Sequence, residues 1–590
     1  MPLNAPLRPP RTGSLLLPVV LLASACAREA APRGPQRLLE MTADGFPAQV
    51  AEVEREGMKR RALVASARYR VYLPREALLV FSLAALSRTE EAARGFFELR
   101  VRADGREVAE HRINVRTAQG FRDSSLPFEG PGRTGLLELE LSYRSGGGKP
   151  RSLPAEITLA VADPMLLDLG PRGDRRGVLF ISIDTLRRDH VGLYGYAKPT
   201  TPNLDALGRQ GLVGDDAVSV SCWTLPAHFS MMTSVEPAAH GATNFRVGFN
   251  HRVPTLARMF RDAGFSTHAI TSNPFLSKTY GFDDGFDSIN QVFNRRAADT
   301  VDRALAFLDH AGSRPFFLLL HFFDPHINYD PDVETLRIFE PEPYRGRRKG
   351  VRRALQNMTP ENTRPEDLAH ILALYDAEIR YADGELGRLF SGLAARGLDR
   401  TTLVLLTSDH GEEFLDHGGW QHLATLYEEL IRVPLILRGP GIEAGQRLAT
   451  QLSHLDLAPT VLDWARLPPL PTQRGHSLLR SLPPEREAYG ETDLGLEGTR
   501  KLYLRGGAGK WKTILSLERM SDHQRHEEWY DLASDPRETD SKPPPEAAAS
   551  GIRDRLFKQW RNARHQGGGG QPVDLSPAQI EQLRALGYIQ

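Results

Sequence analysis

The residues of this sequence whose types and settings could do chemistry are an Asp, a Thr and an adjacent Asp-His pair, far apart in the chain. Asp184 closes the apolar run Phe180-Ile181-Ser182-Ile183, and ligands of open α/β sheets gather at the carboxyl ends of strands. Thr224 stands in Cys222-Trp223-Thr224-Leu225-Pro226. Pro226 suits the first turn of a helix, which places Thr224 at or just before its N-terminus. Unpaired amides and the positive dipole end there favour an anion beside the Thr224 hydroxyl. Asp409 and His410 follow Leu406-Thr407-Ser408, and together can present a carboxylate and an imidazole to one cation. Taken singly, Asp184 and Thr224 also suit helix caps. Taken together, Asp184, Asp409, His410 and the Thr224 oxygen complete a four-ligand metal site. A metal there both lowers the hydroxyl's pKa and withdraws charge from a bound ester.

These residues need a frame that brings them together. With 590 residues, 41% hydrophobic and 25% charged, the chain is long enough for several domains and can bury cores. Lys+Arg and Asp+Glu both number 74, which removes a whole-chain nucleic-acid-binding reading. Two cysteines exclude a disulfide scaffold and a thiolate zinc cluster. From 61 to 170 short alternating runs such as Tyr69-Arg70-Val71-Tyr72-Leu73 and Leu136-Leu137-Glu138-Leu139 are bounded by turn residues, the grammar of an all-β sandwich. From 175 to 470 near-continuous apolar runs, among them Phe316 to Phe323 and Val433 to Leu437, alternate with amphipathic segments, as in a buried, mostly parallel sheet with crossover helices. From 471 to 590 a small α+β subdomain is expected. It ends in a helix that opens with the capping box Ser576-Pro577-Ala578-Gln579 and stops at Gly587. Tyr344 to Arg353 holds six basic residues, readable as a solvated insertion or as a contact for anionic lipid or substrate.

Residues 1–26 carry a basic start, the apolar stretch Leu15 to Leu22 and small residues before Cys26, the parts of an export signal. At 1.5 Å per residue the segment from Leu15 to Ala25 reaches only ~16 Å, too short to span a bilayer. Ala23-Ser24-Ala25-Cys26 resembles a bacterial lipobox, which implies a lipid on Cys26. Residues 27–60 then read as a tether, and the expected location is the bacterial periplasm or cell envelope, anchored to the membrane through that lipid.

The chemistry-bearing segments also carry a family resemblance. Ile183-Asp184-Thr185-Leu186-Arg187, Pro199-Thr200-Thr201-Pro202-Asn203, the Thr224 segment, His321-Phe322-Phe323-Asp324-Pro325-His326, Ser408-Asp409-His410-Gly411-Glu412 and Trp529-Tyr530-Asp531-Leu532 resemble, in order and spacing, the sulfatase-like branch of the alkaline phosphatase superfamily. The resemblance implies an α/β fold of alkaline-phosphatase/sulfatase type, here preceded by the all-β sandwich and followed by the C-terminal subdomain. Sulfatases use Cys-x-Pro-x-Arg, whose cysteine becomes formylglycine; the same frame here reads Thr224-Leu225-Pro226-Ala227-His228. Thr224 cannot become formylglycine, and Cys222 lies two positions too early to replace it. A Thr at this position implies the superfamily's phosphodiesterase and phospho-transfer chemistry, through a phospho-threonine.

The resemblance also assigns expectations residue by residue. His228 stands where sulfatases keep Arg, and His422 where they keep a Lys; both could bind ester oxygens or protonate a leaving group. His321 or His326 is a candidate leaving-group acid, and Asp324 with a flanking histidine offers a second cation site. Asn273 and His326 are candidates for substrate binding, and Thr185 is expected to cap a helix. One divalent metal is implied, with the His410 nitrogen favouring Zn²⁺ or Mn²⁺ over Ca²⁺ or Mg²⁺. The substrate expected is an anionic ester, glycan- or lipid-linked, cleaved as a phosphate or phosphonate ester. The alternatives are a sulfuric ester hydrolase without formylglycine, and a non-catalytic envelope-binding lipoprotein.

Overall fold

The computed structural model describes residues 36–40, 49–55, 58–87, 95–114, 122–145, 157–168, 177–311, 315–355, 357–422, 425–493, 499–506, 510–518, 523–586 and 588. The expected export signal, with Cys26, lies outside them. No helix among the described residues is long and apolar enough to cross a membrane.

The first layered unit is antiparallel throughout. One sheet runs Val50–Arg55, Met58–Leu63, Ile157–Asp168, Glu76–Ser87, Arg122–Glu129, with Gln36–Arg37 added beside Ile157–Asp168; the other runs Ala67–Leu73, Arg133–Ser145, Gly95–Ala103, Arg106–Asn114. Alternate residues of Ala67–Leu73 are buried, and Tyr69 and Val71 share a core with Leu79 and Phe81 of the other sheet. This corrects the expected tether. Gln36–Arg37 and Val50–Arg55 fall within 27–60 and Met58–Leu63 begins there, and all three are strands. Their runs Val-Ala-Glu-Val-Glu-Arg and Met-Lys-Arg-Arg-Ala-Leu are too charged to stand out as strands.

The central sheet has eight strands in the order Ser288–Gln291, Ser266–Thr271, Phe316–Phe322, Gly177–Ile183, Thr402–Ser408, Arg432–Arg438, Leu212–Val218, Gln446–Ser453. All neighbours are parallel except the two pairs made by Arg432–Arg438. Both faces are covered, which explains the unbroken apolar runs. Val178, Phe180, Phe317 and Leu405 pack into one core with Trp223 and helix Thr224–Thr233; Leu179, Ile181, Leu318 and Leu406 pack into the other with the long helix Pro365–Ala395. Strand register aligns the ends of the sheet. Ile183 pairs with Phe322 on one side and Ser408 on the other, so Asp184 and Asp409 leave the sheet side by side.

The C-terminal unit is a four-stranded antiparallel sheet, Ala488–Thr492, Thr499–Gly506, Trp511–Glu518 and Gln524–Asp531, with helices Glu546–Gly567 and Pro577–Leu586. The capping box forms: the Gln579 N–H donates to Ser576 Oγ at 3.3 Å and the Ser576 N–H to Gln579 Oε1 at 3.1 Å. Buried charges join this sheet to the central-sheet domain. Arg505 forks onto both oxygens of Asp216 at 2.7 and 2.9 Å, and Lys512 reaches Glu538 at 2.7 Å and Glu428 at 3.3 Å. Lys512 and Glu538 are at 0% side-chain exposure. Lys512→Met therefore strands buried carboxylates and should cost about 3 kcal/mol. Chemical denaturation measures it; a loss below about 1 kcal/mol contradicts this role.

Candidate active site

Thr224 is the first residue of helix Thr224–Thr233, after an extended Trp223 whose side chain caps nothing. The Thr224 hydroxyl does not cap its own helix either. It accepts from Asn273 Nδ2 at 3.3 Å, and the same amide donates to Asp184 Oδ2 at 3.1 Å. Asn273 Oδ1 accepts the Phe275 N–H at 3.1 Å, which fixes the orientation of the amide. Asn273 thus ties the hydroxyl to the first carboxylate.

The Asp-His pair is held just as firmly. Asp409 Oδ1 accepts from the His410 N–H at 2.9 Å and the Thr185 N–H at 3.3 Å. To make that bond Thr185 adopts φ 57°, and it begins no helix, so the expected cap is not there. Gly411 permits the close approach of the next segment: a Cβ at this position would stand 1.9 Å from the Glu429 carbonyl oxygen. His410 Nδ1 donates to the Gly411 carbonyl at 2.9 Å, leaving Nε2 as a lone pair. It lies 3.6 Å from Asp184 Oδ1 and 3.4 Å from Asp409 Oδ2.

Those three atoms, Asp184 Oδ1, Asp409 Oδ2 and His410 Nε2, have no hydrogen-bond partner and belong to residues at 0% exposure. Burial pushes both carboxyl groups up, Asp409 to about 7, and the His410 imidazole down to about 4. Orphaned acceptors in a dry site call for a cation. One donor atom from each of Asp184, Asp409 and His410 lies within 4.8 Å of the others, and so does a second set from His228, His321 and Asp409. The residues fit a divalent metal.

The other expected residues surround this pair of donor sets. His228 Nδ1 donates to the Thr224 carbonyl at 2.9 Å and lies 3.7 Å from Asp409 Oδ2, with Nε2 unpartnered. His321 has both nitrogens unpartnered, Nε2 being 3.4 Å from Asp184 Oδ2. The His422 ring lies tilted at 4.3 Å from His410 and edge-on at 5.0 Å from His326. Burial lowers these imidazoles, His228 and His422 to about 3 and His321 and His326 to about 4, so all are neutral near pH 7. The structure brings the expected catalytic, substrate-binding and metal residues into one cluster.

Asp324 is different. It accepts the Ala297 N–H at 2.7 Å at the start of helix Ala297–Ala311 and pairs with Arg296 at 2.7 Å. Both oxygens are committed, which corrects its reading as a second metal ligand. The donor group Glu413, His417 and Glu429 fails as well. His417 Nδ1 bonds Glu429 at 2.7 Å and Nε2 the Glu538 carbonyl at 3.2 Å. Burial lowers this imidazole, but the Glu429 contact outweighs it and raises it to about 9; an imidazolium offers no lone pair. Cys222 is a buried core residue, its thiol pushed up to about 11 by burial.

Three further residues of the site escape a reading of the sequence. Glu412 accepts from His422 Nδ1 at 2.8 Å and from the Tyr329 hydroxyl at 3.3 Å. His454 donates from Nε2 to the Ser408 carbonyl at 3.0 Å, leaving Nδ1 free. Tyr588 reaches His422 Nε2 at 3.2 Å. Of these only Glu412 lies in one of the motifs that carry the resemblance.

A sheet that delivers acidic and imidazole donors to one buried point beside a helix-N-terminal hydroxyl defines the class: an ester hydrolase of the alkaline phosphatase superfamily. Residues 176–467 match the family model described as Sulfatase, so the chain carries a domain of the sulfatase-like branch. The N-acetylglucosamine-6-O-sulfatase of Bacteroides thetaiotaomicron is 25% identical over 381 residues, covering 49% of this chain and 68% of the relative. The arylsulfatase of Clostridium perfringens is 22% identical over 452 residues, covering 61% and 89%. Among solved structures, the phosphonate monoester hydrolase of Agrobacterium radiobacter has the same fold at a TM-score of 0.55 and 20% identity, covering 66% of this chain and 96% of that one.

Proposed function

We propose that this chain cleaves, or transfers the phospho group from, phosphate or phosphonate esters, with Thr224 as nucleophile. The observation that carries the proposal is the buried Thr224 hydroxyl, free of any capping role and tied by Asn273 to Asp184. A divalent ion held by Asp184, Asp409, His410 and the Thr224 oxygen supplies Lewis acidity and lowers the hydroxyl's pKa; the His410 nitrogen favours Zn²⁺ or Mn²⁺.

The chain's own residues do the rest. Thr224 Oγ1 forms a bond to phosphorus as the bond to the leaving oxygen breaks, giving a phospho-threonine and a departing alcohol or phenol. Asn273 aims the Thr224 oxygen, and the N-terminal amides of helix Thr224–Thr233 face the developing negative charge. His321, neutral with both nitrogens unpartnered, can turn its N–H to an ester oxygen, whereas His228, its N–H given to the Thr224 carbonyl, presents an accepting Nε2. His422, donating from Nδ1 to Glu412, presents an accepting Nε2 that can take a proton and return one to the leaving oxygen. His326, beside it, lines the substrate. A water or another acceptor hydroxyl then attacks phosphorus, and the bond to Thr224 breaks.

The names of the two curated relatives favour a second reading, sulfate-ester hydrolysis. Without formylglycine a covalent Thr sulfate has to break at sulfur. Vanadate separates the readings, because it adopts the trigonal geometry of phosphoryl transfer. On metal-loaded protein it should bind at least about 100-fold more tightly than inorganic phosphate or sulfate. Vanadate binding no tighter than sulfate contradicts the phosphoryl reading. Export and a lipid on Cys26 complete the proposal and rest on the sequence of residues 1–26.

A further inference from the structure

The residues that carry the site are sealed: Asp184, Thr224, His228, Asn273, His321, Asp409 and His410 are all at 0% exposure. One of the groups that seals them comes from outside the catalytic domain. Helix Pro577–Leu586 is fixed to that domain, since Gln579 Nε2 donates to Thr279 Oγ1 at 2.6 Å and Leu583 and Leu586 are buried. Beyond the helix the Tyr588 N–H donates to the Leu583 carbonyl at 2.9 Å, which turns the chain inward. The Tyr588 ring is wholly buried, edge-on to Phe275 at 4.6 Å and tilted against Trp223 at 6.0 Å.

The hydroxyl of this ring faces the chemistry: it bonds His422 Nε2 at 3.2 Å. His422 Nδ1 is committed to Glu412 as donor, so Nε2 accepts and Tyr588 donates. A buried tyrosine satisfies its hydroxyl with any available acceptor; this one takes the accepting nitrogen of His422, from a ring packed against Trp223, the residue before Thr224.

We propose that Tyr588 is a catalytic residue of this site: its hydroxyl holds His422 Nε2 when the site is at rest, and donates to an oxygen of the tetrahedral ester group when one is bound. The exchange moves one hydrogen bond from His422 to the ligand, transfers no proton, and frees His422 Nε2 for the reaction. The proposal rests on Thr224 as the nucleophile and adds to it a residue from the C-terminal unit.

The test uses metal-loaded full-length protein with orthovanadate and inorganic sulfate as probes, titrated calorimetrically against wild type, Tyr588→Phe and Tyr588→Ala. Metal content and melting temperature are measured on each. Tyr588→Phe keeps the ring and loses one donor, so it should retain metal and melting temperature. It should bind the oxyanion preferred by the wild type about tenfold more weakly, and Tyr588→Ala should be at least as weak. Wild-type affinity in Tyr588→Phe overturns the proposal while leaving Thr224 as nucleophile intact. Loss of metal or of cooperative melting in Tyr588→Phe also overturns it, by assigning the residue to structure alone. A wild type that binds neither probe sinks the ester reading itself, and this proposal with it.

Discussion

Thr224→Ala should abolish turnover, lowering kcat by at least about 10⁴-fold, while the protein stays folded and keeps most of its metal. The size of the effect comes from removing the atom that forms the new bond; the remaining groups can orient an ester but cannot carry it. The fold should tolerate the change because the hydroxyl caps no helix, Thr224 standing after the N-cap position held by Trp223. Asn273 keeps its bond to Asp184 at 3.1 Å, so the stability cost should stay near 1 kcal/mol. Metal content is expected to fall little, since Asp184, Asp409 and His410 remain. Near-normal activity in this variant would remove Thr224 as nucleophile.

Asp409→Ala should lose the metal. Asp409 belongs to both donor sets, and its Oδ2 has no other partner. In the metal-free protein two carboxyl groups share a dry site, and burial together with Asp184 pushes Asp409 up to about 7. A cation relieves that strain, so metal should raise the melting temperature of the wild type and leave that of Asp409→Ala unchanged. Stripped of metal, the variant should melt no earlier than stripped wild type, because one unpaired buried charge has gone. Elemental analysis gives the direct answer. A variant that retains its metal in full contradicts the assignment of Asp409.

Much of this site was legible in the sequence because its residues sit where backbone physics fixes them. Asp184, Asp409 and His410 each follow a buried seven-residue strand, and the register of parallel strands makes the ends of Gly177–Ile183 and Thr402–Ser408 meet. Thr224 was legible because Pro226 marks a first helical turn. What failed was read without its neighbours in space. Asp324 has the type and setting of a ligand, yet Arg296 and the Ala297 amide claim it. Thr185 has the type of a cap, but the bond to Asp409 bends it to a positive φ. The strands at Val50–Arg55 and Met58–Leu63 hold three charged residues in six, too many for an apolar alternation to show in the sequence. His454 and Tyr588 belong to no motif, and only tertiary packing brings them to the site.

The proposed phosphoryl chemistry turns on two side chains. In the frame where sulfatases carry the formylglycine cysteine this chain has Thr224, and the Arg of that frame is His228. An imidazole lowered to about 3 by burial brings no fixed positive charge to an anion. On the proposed reading that charge would come from a bound cation and the helix terminus.

The most direct test is the parallel hydrolysis of p-nitrophenyl sulfate, a phosphate monoester, a phosphodiester and a phenyl phosphonate by metal-reconstituted protein, with Thr224→Ala as control. A phosphate- or phosphonate-ester rate far above the sulfate rate, lost in the variant, is the predicted result. A dominant sulfate rate, or a phospho-ester rate that survives in Thr224→Ala, would contradict it.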